Sequence, residues 1–123
     1  MQDSQVDIVI IKGAPGSGKS SIAKCLSEKF PKGIRLEVDT IRSMVISVDW
    51  TNQTEHINML GVSANLASKF LSLGYSPVIV VDTFSGDKVV RFMEQLKAIN
   101  DSLIIKVFGL YTTEEELRKR VDA

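Results

Sequence analysis

The residues with the most definite chemistry are Gly13-Ala14-Pro15-Gly16-Ser17-Gly18-Lys19-Ser20, which complete the pattern G-x-x-x-x-G-K-[ST]. Glycines let the backbone turn tightly and present its N–H groups to phosphate oxygens. A helix opening directly after them adds the positive end of its dipole. In this pattern Lys19 reaches toward β- and γ-phosphates, and the Ser20 hydroxyl is placed to ligate Mg²⁺. The cradle is expected to run from Gly13 to Ser21, with phosphate on the amides of Gly16 to Ser20. A glycine-rich turn without a ligand would explain neither Lys19 nor Ser20.

Two further carboxylates sit where such a cradle could use them. Asp82 closes the apolar run Val78-Ile79-Val80-Val81. In open parallel sheets ligands bind beyond the carboxyl ends of the strands, so Asp82 is expected to hold Mg²⁺ directly or through water. Alone, it reads equally well as a cap for the following loop, Thr83-Phe84-Ser85-Gly86-Asp87. Asp39 lies twenty residues past Lys19, about one helix plus one strand, which returns the chain to the same sheet edge. A carboxylate there can accept a proton from an attacking hydroxyl, and Arg42 can hold an anionic group. Equally, Asp39 could be a helix N-cap that pairs with Arg42 at i, i+3.

The elements that must position these residues follow from periodicity. Ile8–Ile11 and Val78–Val81 are continuously apolar and β-branched, as suits strands covered on both faces. Leu103–Phe108 reads the same way with one interruption, whereas Gly33–Val38 alternates like an edge strand. Ile22, Leu26 and Phe30 predict the apolar stripe of a helix after the first strand. Ile57, Leu60, Ala64, Ala67 and Leu71 predict a longer helix ending near Gly74. Val89, Met93, Leu96 and Ile99 predict another, and Thr112–Glu116 offers capping boxes for a last helix carrying Leu117 and Val121. Strand and helix alternate throughout, so the fold class is α/β with a parallel sheet.

Composition excludes several classes. The 123 residues suit a single domain over 1–123, and 44% hydrophobic with 24% charged residues is ordinary for a globular chain. Fifteen basic residues balance fifteen acidic ones, which is unlike a strongly basic nucleic-acid binder. Cys25 is the single cysteine, so no disulfide framework or cysteine zinc site exists, and a cytoplasmic setting is expected. No apolar run approaches the ~20 residues of a membrane span. His56 has no neighbouring metal-ligating partner and is expected to be a partly exposed helix histidine. Cys25 is expected to be packed or half-buried. Met44, Val45 and Val48 are expected in core or pocket wall. Trp50 either stacks on an acceptor group or anchors a hinge.

The phosphate-binding loop, the Asp39-x-x-Arg42 element and the Asp82-Thr83 pair together resemble the P-loop small kinases. They are most similar to the polynucleotide 5′-hydroxyl kinase-like group, with chloramphenicol phosphotransferase and zeta-toxin-type kinases as relatives. The resemblance covers residues 6 to about 121 and implies a P-loop NTPase sheet of order 2-3-1-4. It further implies that Lys19 binds ATP phosphates, that Asp39 is the general base for the acceptor hydroxyl, and that Arg42 contacts the acceptor's phosphate or the transferred group. ATP and Mg²⁺ are the implied cofactors. The acceptor would be a small molecule, a nucleotide or a polynucleotide end. Such kinases continue into an arginine-bearing lid and a further strand, whereas here only Arg118 and Arg120 reach the lid's start, so a truncated domain is expected. A module that binds or hydrolyses ATP without phosphorylating an acceptor is the alternative. No Asn-Lys-x-Asp element for reading guanine is present.

Overall fold

β-branched residues dominate two strands that run side by side at the centre of the sheet, β1 (Ile8–Gly13) and β3 (Val78–Asp82). The computed structural model describes residues 5–110. Around the central strands the chain adds α1 (Lys19–Ser27), β2 (Ile34–Glu37), α2 (Val38–Arg42), α3 (Gln53–Ser72), α4 (Lys88–Ile99) and β4 (Ile105–Leu110). All pairings are parallel and the strand order is β2-β3-β1-β4. This is the α/β, P-loop arrangement expected from the sequence. The helix predicted over Thr112–Val121, with Arg118 and Arg120, lies outside the described residues.

Alternation along the strands sends side chains to two different cores. Ile8, Ile10, Leu36, Val78 and Val80 pack with Leu60, Ala64 and Ala67 of α3 and with Phe92 and Leu96 of α4. Val9, Ile11, Ile79 and Val81 face Ala23 of α1 on the other side. The α3/α4 side is the larger core, and Asp82 shares the strand parity of Val78 and Val80.

Three expectations need correction. Of the expected α1 stripe Ile22-Leu26-Phe30 only Leu26 packs on the core, half-buried beside the buried Ala23, while Ile22 and Phe30 are exposed. Helix α1 ends at Ser27, so Phe30 falls in the loop beyond it. On α4 the buried positions are Lys88, Phe92 and Leu96, and Ile99 is exposed. Leu96 holds its expected place, and Val89 and Met93 are half-buried against the same core, while Lys88 takes a buried position that a count of apolar residues omits. Strand β4 starts at Ile105 rather than Leu103 and exposes Val107 and Phe108, because it pairs only with β1 among the described residues. Leu103 itself is buried just before the strand.

Helix α3 matches its periodic pattern and closes as expected. Gly74 adopts φ 92, a left-handed conformation that costs glycine little, and its N–H bonds to the carbonyl of Leu71 at 3.0 Å. At the other end the Asn52 side chain accepts from the Glu55 N–H.

The two-sided packing predicts unequal costs for truncation. Phe92→Ala removes a fully buried ring and should destabilise by about 3–5 kcal/mol, whereas Ile22→Ala on the exposed face of α1 should change stability by about 0.5 kcal/mol or less. Urea denaturation of the two variants checks this.

Candidate functional site

Strand β1 delivers the chain to the sheet edge at Gly13, which is buried and has no room for a side chain. A Cβ there would lie 2.5 Å from Ser17 Oγ and 3.1 Å from the Leu110 carbonyl oxygen. The loop then turns, with the Ser17 N–H donating to the Ala14 carbonyl at 3.1 Å. Gly16 and Gly18 take φ 82 and φ 92, conformations that residues with a Cβ rarely adopt. Gly18 is also the N-cap of α1, and its carbonyl accepts the Ile22 N–H at 3.1 Å. A helix that starts at Lys19 leaves the amides of Lys19, Ser20 and Ser21 without intrahelical acceptors. No acidic side chain occupies the first turn to neutralise its positive end. Ala14, Pro15 and Ser20 are exposed and Lys19 is half-buried, so the loop faces solvent. This is a backbone cradle suited to an anion.

Three clusters surround the cradle. In the first, Ser20 Oγ donates to Glu37 Oε1 at 2.8 Å. Glu37 ends β2 on the α1 side, because its neighbour Leu36 points into the α3/α4 core. A hydroxyl that donates its only proton keeps its lone pairs for a cation. Glu37 was not assigned a role from sequence, although strand alternation places it on the same side as α1.

The second cluster gathers around Asp82. It is buried, and its Oδ2 accepts the Phe84 N–H at 3.0 Å and meets His56 Nε2 at 2.9 Å. His56 Nδ1 in turn lies 2.9 Å from Lys88 Nζ, which also bonds to Gln53 Oε1. The expectation of a partly exposed histidine is therefore corrected: His56 is 6% exposed and paired on both ring nitrogens. Its place was legible in the spacing. His56, Leu60, Ser63, Ala64 and Ala67 form one stripe of α3, and all are buried.

The third cluster follows β2. Asp39 is exposed in the first turn of α2, whose N-cap is Glu37, so Asp39 is not the cap. Among the described residues no ion pair joins Asp39 to Arg42. Arg42 is buried instead. Its Nη2 donates to the Asp49 carbonyl at 3.2 Å, its guanidinium carbon sits 4.9 Å from the centre of the Trp50 ring, and its Nε has no hydrogen-bond partner. Trp50 is thus a stacking anchor for Arg42, with its ring still half exposed. Asp49 stiffens this turn, accepting the N–H of Thr51 at 3.0 Å and its hydroxyl at 2.7 Å. Those two bonds, chiefly the hydroxyl's, hold the Asp49 carboxyl below its ordinary range; desolvation opposes them, and the charge of Arg42 adds the smallest contribution, in their direction. Of Met44, Val45 and Val48, Met44 is exposed and the other two are half-buried, and Cys25 is exposed rather than packed or half-buried.

The oxygen donors fit a hard cation carried on phosphates. Among the described residues no cluster of three or more His, Cys, Asp or Glu side chains forms a metal cage. Mg²⁺ in such sites typically needs only one or two protein oxygens, with phosphates and water supplying the rest. Among the described residues no helix is long and apolar enough to cross a membrane.

Sheet order and glycine cradle together define a P-loop α/β fold. The chain belongs to the AAA domain family, whose model matches residues 8–123. Comparison with curated proteins returns no match. Among solved structures, the chain superposes on a chain of the Pnkp1/Rnl/Hen1 RNA repair complex with TM-score 0.72 and 20% identity, covering 98% of this chain and 38% of that one. The Mycobacterium tuberculosis APS kinase CysC, in complex with AMPPNP and APS, gives TM-score 0.68 and 18% identity over 96% of this chain and 69% of that one. A gluconokinase from Sinorhizobium meliloti gives 0.67 and 17% over 96% and 65%. The described chain thus spans well under half of the repair-complex chain and about two thirds of the other two.

The tight approach at Gly13 yields a direct test. Gly13→Ala must displace Ser17 or the Leu110 carbonyl, which should cost about 1–3 kcal/mol and distort the cradle. Thermal unfolding and ATP-binding calorimetry on the variant should show a lowered Tm and weakened binding together.

Proposed function

We propose that this domain is an ATP-dependent kinase that moves the γ-phosphate to a hydroxyl group on a small molecule, a nucleotide or a polynucleotide end. The observation that carries this reading is the cradle of Gly13 to Ser21 with Ser20 tied to Glu37, on the same sheet edge as the exposed Asp39. Of the amides from Gly16 to Ser20, that of Ser17 donates to Ala14, so those of Gly18, Lys19 and Ser20, with the Lys19 ammonium, would take the phosphates. Ser20, oriented by Glu37, would offer an oxygen to Mg²⁺, with Asp82 acting on the same ion directly or through water. Bound Mg²⁺ would neutralise charge on the phosphates as the γ-phosphoryl group leaves.

Asp39 suits the role of general base because its carboxylate is exposed and uncommitted among the described residues. It would take the proton of the acceptor hydroxyl as that oxygen attacks the γ-phosphorus, and ADP would leave with the electrons of the broken bond. Arg42 would contribute positive potential from beneath Trp50, and an acceptor that displaces the ring would gain the buried Nε donor. The kinase neighbours agree with this reading at the level of fold. The same burial of Arg42 favours a second reading, in which the domain binds or hydrolyses ATP without an acceptor.

Two variants separate these roles. Lys19→Ala should weaken ATP·Mg²⁺ binding by about 1.5–3 kcal/mol, as expected for lost hydrogen bonds to charged groups. Calorimetry that found equal affinity would remove the phosphate assignment. Asp39→Asn should lower turnover by roughly 10²–10⁴ while leaving ATP affinity near the parent value. ADP release measured with nucleosides, sugars and 5′-hydroxyl oligonucleotides, and without any acceptor, reports both the base and the acceptor class. Release that no acceptor accelerates would favour the second reading.

A further inference from the structure

Behind the sheet edge, on the side away from α1, the chain buries a complete set of charges that the phosphate cradle does not itself require. Asp82, His56 and Lys88 are 4%, 6% and 9% exposed and come from β3, α3 and α4. An ammonium only donates hydrogen bonds and an ionised carboxylate only accepts them. His56 Nδ1, facing Lys88 Nζ at 2.9 Å, must therefore accept, and Nε2, facing Asp82 Oδ2 at 2.9 Å, must carry the ring proton. With Lys88 as an ammonium and Asp82 as a carboxylate, the imidazole would bridge the two with its ring proton on Nε2. Lys88 Nζ is further held by Gln53 Oε1 from the first turn of α3.

The turn beyond Asp82 is equally constrained. Phe84 donates its N–H to Asp82 Oδ2 at 3.0 Å while holding φ 50, a conformation seldom taken by a bulky side chain. Its ring is fully buried and lies 5.3 Å from that of Phe92. Packing thus keeps the backbone in a strained form, a pattern that clusters at functional sites. A buried charge set is also a weak way to stabilise a core, since apolar residues of the same volume usually do as well. Two of these bonds, from the Phe84 N–H and from His56 Nε2, converge on Oδ2 of Asp82, and that carboxylate stands in register with Lys12, next to the start of the cradle.

We propose that His56 and Lys88 are positioning residues for Asp82: the Lys88–His56 bridge fixes the rotation of the Asp82 carboxylate through Oδ2, so that Oδ1 keeps one orientation for the cation that accompanies the nucleotide. The proposal rests on the nucleotide-binding reading above. Outer-sphere partners of this kind typically govern metal affinity by about 10–100-fold. Glutamine at position 56 can place an N–H where Nε2 stands, whereas asparagine is too short to reach Asp82 from there.

The test is ATP-binding calorimetry in Mg²⁺ and in EDTA, with thermal unfolding alongside, on the parent chain and on His56→Gln, His56→Asn and Lys88→Met. The gain in ATP affinity on adding Mg²⁺ should fall by about 10–100-fold in His56→Asn and Lys88→Met, and should be largely retained in His56→Gln. Should His56→Asn not fold, Lys88→Met carries the test, because it keeps the histidine in place. Variants that lose Tm yet keep the parent's Mg²⁺ gain would overturn the proposal alone, as would His56→Gln behaving like His56→Asn. A parent chain whose ATP affinity ignores Mg²⁺ would overturn the proposal alone, and a parent chain that binds no ATP would overturn it together with the nucleotide reading.

Discussion

Between Gly13 and Lys19 the backbone has to change from strand to helix while its N–H groups stay turned toward one point. That requirement accounts for the glycines at 16 and 18, whose left-handed conformations let the loop double back without a Cβ colliding with a carbonyl. It accounts also for Gly13, where even a methyl group would press on Ser17. The sheet exists to hold both ends of this turn. β1 pairs on both sides, with β3 and β4, so the strand is held by two ladders as far as Lys12 and Gly13 by the β4 ladder. Helix α1 leaves the loop with uncapped amides, and Ser20 in its first turn is tied across to Glu37 at the end of β2.

Burial sorts the remaining charged residues by side of the sheet. On the α1 side the packing is thin, with Ala23 as the buried helix residue, and the polar groups there remain within reach of solvent. On the α3/α4 side the core is deep, and Asp82 points into it with its counter-charge supplied two residues away through the His56 ring. A carboxylate in that position without Lys88 would be an uncompensated buried anion, an arrangement that costs several kcal/mol. The consequence is division of labour along a single edge. Ser20 is exposed and Glu37 half-buried, whereas Asp82 is buried and fixed by its surroundings.

Sequence patterns carried much of this. The order of elements, the parallel sheet and the cradle follow from two apolar runs, one long 3.6-residue periodicity and one glycine-rich motif, because each of these reflects a local constraint. What escaped was decided by tertiary contact. Periodicity put Ile22 and Ile99 on buried faces, when Ala23 on α1 and, on α4, Lys88 and Phe92 beside the expected Leu96 are the buried residues. A histidine and a lysine separated by thirty-two residues give no local sign that they will share a hydrogen bond. The stripe through His56 and Leu60 was nonetheless visible as spacing once a polar residue is allowed to occupy it. Arg42 was placed beside Asp39 by sequence, and its stacking beneath Trp50 depends on the turn at Asp49, which periodicity does not describe.

Amide chemical shifts of an isotope-labelled chain, followed during titration with ATP and Mg²⁺, test most directly whether the strand-to-helix turn is a phosphate cradle. The amides from Gly13 to Ser21 should move most, followed by those around Glu37, which shares the Ser20 hydrogen bond. Shifts that leave Gly16 to Ser20 unmoved, or that concentrate between α3 and α4, would contradict the assignment of this edge of the sheet.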